Sequence, residues 1–208
     1  MKGANYSVFI NCPFDNEYRE IFEAVHFCIA ACGFLPRCAL EVEDGAEARL
    51  SKLCRIIAEC DRSVHDLSRT QVNKNGMPRF NMPFELGLLM GAKHFGGKEH
   101  ARKSALILIE KQHSLPPYMS DLGGNDPSAH AGDFSRAVTH VRRYLGMRPE
   151  GSPLPGPKHI LTHFRKFQED LPALARRQKL EVNEVHPIDD FRTYAHFVAA
   201  FLQANPVL

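Results

Sequence analysis

Charge of one sign is missing from this sequence: 26 Lys and Arg stand against 24 Asp and Glu in 208 residues, a formal net charge of +2. So balanced a chain has no field that would gather polyanions, which leaves out nucleic acid and anionic membrane surfaces as main partners. Also missing is any run of the roughly 18 apolar residues that a membrane span requires. The opening stretch, MKGANYSVFIN, has too short an apolar run for a signal peptide and no small-residue cleavage site, so a cytoplasmic protein is expected. No Walker loop, GxGxxG, HExxH or GxSxG occurs. Those gaps argue against a P-loop ATPase, a dinucleotide-dependent dehydrogenase, a zinc protease and an α/β-hydrolase.

What is present is enough apolar material for a real core, 44% of the residues. The length fits one α/β domain with an appendage or two small domains. Six cysteines lie in the first 60 residues, at positions 12, 28, 32, 38, 54 and 60. The composition is not that of a small disulfide scaffold. Cys28 and Cys32 have helical i,i+4 spacing, but no second Cys or His pair completes a tetrahedral set. The expectation is therefore buried thiols, Cys28, Cys32 and Cys54 among them, with no metal and no resident cofactor.

The patterning alternates strand and helix. Short β-rich runs at 7–11 (SVFIN), 36–42 (PRCALEV) and 63–67 (SVHDL) are followed by helical spacings over 16–32, 46–60 and 81–97. SALILIE at 104–110 reads as a strand buried on both faces. Such alternation predicts parallel βαβ units in a doubly wound, flavodoxin-like sheet of four to five strands. The ligand site of such a sheet lies at the carboxyl ends of its strands. That rule selects the loops 11–15, 42–46, 66–80 and 111–133. The boundaries drawn are an α/β domain over 1–147, a Pro/Gly linker over 148–156 and a helical extension over 157–208. In the extension, Phe164, Phe167, Leu171 and Leu174 form one apolar stripe, and Phe191, Tyr194, Phe197, Val198 and Phe201 another. The stripes fit either a hairpin that covers one flank of the sheet or a partner surface.

Glu85, in Asn81-Met82-Pro83-Phe84-Glu85-Leu86-Gly87, is the most informative residue. With Asn81 as N-cap and Pro83 in the first turn, Glu85 is expected within that turn, held on rigid backbone at the ligand edge. There it either complements the helix dipole or serves as an ionised carboxylate for catalysis. Asp66 ends the third strand and can either cap a turn or take part in proton transfer. His65 points to the opposite side and is expected to be packed in the core. Arg37 is expected in a structural ion pair, and Arg49 is placed to reach a phosphate.

Two segments together carry a resemblance. Asn11-Cys12-Pro13-Phe14-Asp15, followed by Tyr18, resembles the first βα loop of nucleoside 2-deoxyribosyltransferases. Phe84-Glu85-Leu86-Gly87, followed by Gly91 and Lys93, resembles their nucleophile helix, and Asp66 matches their strand-end aspartate. That superfamily is similar in fold to Toll/interleukin-1 receptor (TIR) domains, whose enzymatic members cleave the nicotinamide glycosidic bond of NAD with one Glu. The chain as a whole resembles bacterial TIR-like proteins carrying FINCPFD and RFNMPFELG, over residues 5 to about 146. The resemblance implies an N-glycosidase acting on NAD or a related nucleotide as substrate, with a role in bacterial defence. Glu85 and Asp66 would be catalytic. Asn11, Pro13, Phe14, Asp15, Arg49, Ser68, Arg79 and Asn81 would bind substrate, with Phe14 stacked on the base. One departure is the loop Met77-Pro78-Arg79-Phe80-Asn81-Met82-Pro83, where those transferases have an Asp-rich, Ser/Thr-containing one. An arginine so near Glu85 suits a phosphorylated substrate. The rival reading is a non-enzymatic module that forms a homo-oligomer or binds a nucleotide signal. An enzyme predicts Glu85 in a pocket near Asp66 and Asn11; a module predicts it exposed or salt-bridged.

Overall fold

The computed structural model describes residues 6–41, 44–70 and 79–207. Five strands, β1 (Ser7–Asn11), β2 (Leu35–Cys38), β3 (Arg62–Asp66), β4 (Ser104–Ile109) and β5 (Ser128–Ala129), form one sheet in the order β2-β1-β3-β4-β5. Every pairing is parallel. This is the flavodoxin-like doubly wound order, whose topological switch lies between β1 and β3.

Alternation along the strands sorts the core into two faces. Val8, Ile10, Val64 and Leu108 pack with α1 (Arg19–Ala31) and α4 (Phe134–Leu145). Phe9, Ile107 and Ile109 pack on the other side with α2 (Arg49–Glu59) and α3 (Asn81–Phe95). The helix α1 stops at Gly33, whose φ of +83° is open to glycine with little strain and lets Phe34 N–H reach back to the Ile29 carbonyl. The second strand is shorter than its sequence pattern: Ala39–Glu41 is a 3₁₀ turn, and residues 42 and 43 lie outside the described residues, as do 71–78 of the loop after β3. Arg37 makes its ion pairs to Glu41 and Glu59, the latter at 3.0 Å. Five of the six cysteines are buried and all are free, but Cys54 is exposed on the solvent side of α2.

Two elements went unread in the sequence. The helix α4 carries its signal openly, since Ala137, Val138, Val141 and Leu145 are buried at helical spacing behind the capping side chain of Asp133. By contrast β5 is two residues long and offers no period to detect.

The C-terminal helices α5 (Pro157–Arg177) and α6 (Phe191–Ala204) pack outside α1 and α4 as a fourth layer. Phe27 of α1 meets Phe164, Phe167 and Phe201 at ring distances of 5.5, 5.6 and 6.2 Å. These residues belong to the same hydrophobic cluster as the inner face of the sheet. The segment read as a linker is a tight turn, tied down by the Arg142 guanidinium on the Leu154 and Pro155 carbonyls at 2.9 and 3.0 Å. Among the described residues no helix is long and apolar enough to cross a membrane.

Candidate functional site

The candidate residues gather at the carboxyl ends of β1 and β3. Asn11, the last residue of β1, is paired across the sheet with His65 of β3. Its amide donates to His65 Nδ1 at 2.9 Å and to the Met82 carbonyl, in the first turn of α3, at 2.8 Å. One buried side chain thus pins the start of α3 to the sheet. Accepting at Nδ1 puts the His65 proton on Nε2, which finds no partner among the described residues. Burial holds this ring neutral, its pKa lowered to about 3. The expectation of a packed core histidine agrees with its complete burial against Phe9.

Glu85 is fixed by the same anchor. It is 2% exposed, on the inward side of α3 with Met82, Leu86 and Leu89. Among the described residues its carboxylate has neither a hydrogen-bond donor nor an ion-pair partner. The capping expectation fails here. Phe80 occupies the N-cap position without a side-chain cap, Asn81 is the exposed first residue of α3, and Glu85 is the fifth, beyond the first turn. The helix dipole acts mainly over that first turn, so it does not keep Glu85 ionised. Burial raises its pKa from the ordinary 4.5 to about 7, against the favourable field of Arg49. Arg49 itself is exposed at the start of α2.

Asp66 is a carboxylate of the opposite kind. Two residues beyond Val64, it shares that residue's side of the sheet, facing α1 rather than α3. Its Oδ2 accepts from the Tyr18 hydroxyl at 2.5 Å and from His130 Nε2 at 3.0 Å, and its Oδ1 from the Ser68 N–H at 2.8 Å. Burial alone would raise its pKa. The bonds from His130, Ser68 and Tyr18 outweigh that and hold it below the ordinary 3.8. The cage is closed by Ser68 Oγ, 2.8 Å from His130 Nε2. Asp66 and Glu85 therefore do not share one side of the sheet, although the thiol of Cys12 is raised by burial and then by both carboxylates.

The remaining predicted contacts form the rim. Asp15 bridges Arg69, at 3.2 Å, and Arg79, at 3.0 Å, so Arg79 is paired with the β1–α1 loop rather than with Glu85. Pro13 is buried. Phe14 is half-buried and packs against the core with its ring 5.4 Å from Phe22. The exposed aromatics at this edge are Phe80, Phe84 and Tyr118, with Phe80 and Tyr118 paired at 5.5 Å. Beside the rim, a cavity of about 190 Å³ opens at the ends of β3 and β4 between Ser68, Arg69, Thr70, Glu110, Lys111 and Ser114. Among the described residues no three His, Cys, Asp or Glu side chains gather into a metal-binding group.

Sequence reasoning missed His130, one of eleven histidines, because only the fold brings it against Asp66. It also missed Arg69, whose adjacency to Asp66 was the one available signal. Comparison with protein-family models, with curated proteins and with solved structures finds no match for this chain.

Proposed function

We propose that this chain is a nucleotide N-glycosidase that uses Glu85 to cleave the bond between ribose and base in NAD or a related nucleotide, as the TIR-like resemblance suggests. The observation that carries the reading is Glu85 itself, a buried carboxylate unbound by any described residue at the ligand edge of a doubly wound sheet. Unpaired buried carboxylates are disfavoured unless something uses them. With NAD, the C1′–N bond breaks and its electron pair neutralises the pyridinium, so nicotinamide leaves uncharged and no general acid is needed. The cation left on ribose is stabilised by ionised Glu85, then captured at C1′ by water, which loses a proton to that carboxylate or to solvent. Asn11 Oδ1, which holds no hydrogen bond to a described residue, is available to a ribose hydroxyl. With a pKa near 7, Glu85 would gain charge, and the reaction speed, as pH rises through neutrality.

The test is base release, followed by chromatography, from NAD, NADP, nucleoside monophosphates and nucleosides, with Glu85→Gln in parallel. Release by the wild type and a loss of at least about 100-fold in the near-isosteric variant are expected. Equal release by both sinks the mechanism. One observation favours a binding module instead: Phe80 and Phe84 are 56% and 52% exposed on one helix face. No release from any substrate would move the assignment there.

A further inference from the structure

Two guanidinium groups converge on one carboxylate at the topological switch of the sheet. Arg69 Nη1 lies 3.2 Å from Asp15 Oδ1, and Arg79 Nη1 lies 3.0 Å from Asp15 Oδ2. Arg69 also reaches Glu17, at 2.7 Å, whose side chain is 80% exposed and free to leave. The backbone at Arg69 has φ of +109°, a conformation that L side chains rarely adopt and that persists only where surrounding structure enforces it. Resting on the reading of this edge as a nucleotide site, we propose that Arg69 and Arg79 are its phosphate clamp, and that Asp15 holds their place until the phosphate of the substrate displaces it.

The neighbouring cavity suits the same ligand. The Gly132 N–H donates to His130 Nδ1 at 3.1 Å, so the ring proton sits on Nε2 and faces both Asp66 and Ser68. The hydroxyl proton of Ser68 therefore has no acceptor on that ring and is left to the Asp66 carboxylate, whose pKa it helps to lower. Lys111 adds a second cation on the cavity wall, and Glu110 supplies the acceptor that a ribose hydroxyl beside the phosphate needs. A phosphate offers two guanidinium groups more acceptor oxygens than a single carboxylate, in the bidentate geometry that arginine favours.

A purely structural lock between loops would make no use of an anion, and this separates the two roles. The full chain would be titrated calorimetrically at low salt with inorganic pyrophosphate, a probe with no glycosidic bond. Asp15→Asn keeps an oxygen for the Tyr18 N–H, which now donates to Oδ1 at 3.1 Å, but removes the competing charge. Pyrophosphate should bind this variant several-fold more tightly than wild type, and about tenfold more weakly after Arg79→Gln. Both variants should melt as cooperatively as the parent. No binding to Asp15→Asn overturns the proposal, as does binding that Arg79→Gln leaves unchanged. Because the readout is binding, pyrophosphate capture without base release from any nucleotide strikes only the glycosidase. Base release without an arginine effect on binding strikes only the clamp.

Discussion

Two buried carboxylates stand near one edge of this sheet, and their surroundings could hardly differ more. Asp66 ends a strand on the α1 side, where a tyrosine hydroxyl, an imidazole and a backbone amide all donate to it. Glu85 sits on the α3 side, also buried, with no donor among the described residues and a pKa of about 7. The first arrangement stabilises a charge and ties loops together; the second gives a charge no described donor. A fold gains from the first and loses by the second, which is why the second is the candidate for chemistry.

The sharpest way to break this contrast is to remove the satisfied member. Asp66→Ala leaves the Tyr18 hydroxyl and the Ser68 amide without their buried acceptor, and should lower the unfolding free energy by roughly 3–5 kcal/mol in denaturant titration. Glu85→Gln should move stability the other way. Native Glu85 keeps its proton up to about pH 7 while the unfolded chain releases it near the ordinary 4.5. Stability therefore falls as pH rises between those values. The variant should gain on the order of 2 kcal/mol over wild type at pH 8 and close to nothing at pH 4. A loss at pH 8 would show that the carboxylate is as well satisfied as Asp66. Least affected should be Arg79→Gln at the rim, where the side chain is 47% exposed. Its stability change should stay within about 1 kcal/mol, so that its effect on pyrophosphate binding reads the anion site and not the fold.

Much of the frame was legible because its signals are local. The runs SVFIN and SALILIE and the periodic apolar residues of α1 name their elements without help from distant contacts. Asn11 could be placed at the carboxyl end of β1, and Glu85 on the helix that follows β3, for the same reason. The chemistry of each side chain was not legible. Reading Asn81 as a cap put Glu85 one residue too near the helix start, and with it came a carboxylate fully ionised by the dipole, where burial leaves one that titrates near 7. Phe14, expected to stack on a base, is half-buried with its ring 5.4 Å from Phe22, a contact that the sequence does not show.

The sequence by itself determined the alternation of strand and helix, the parallel sheet and the edge where a ligand would sit, because periodicity and turn residues act over a few positions. Only the tertiary structure decided which carboxylate is held by described donors and which is not. His130 reaches Asp66 from 64 residues further along the chain and Asn11 reaches Met82 across 71, and the desolvation that lifts Glu85 exists only once α3 is seated on the sheet.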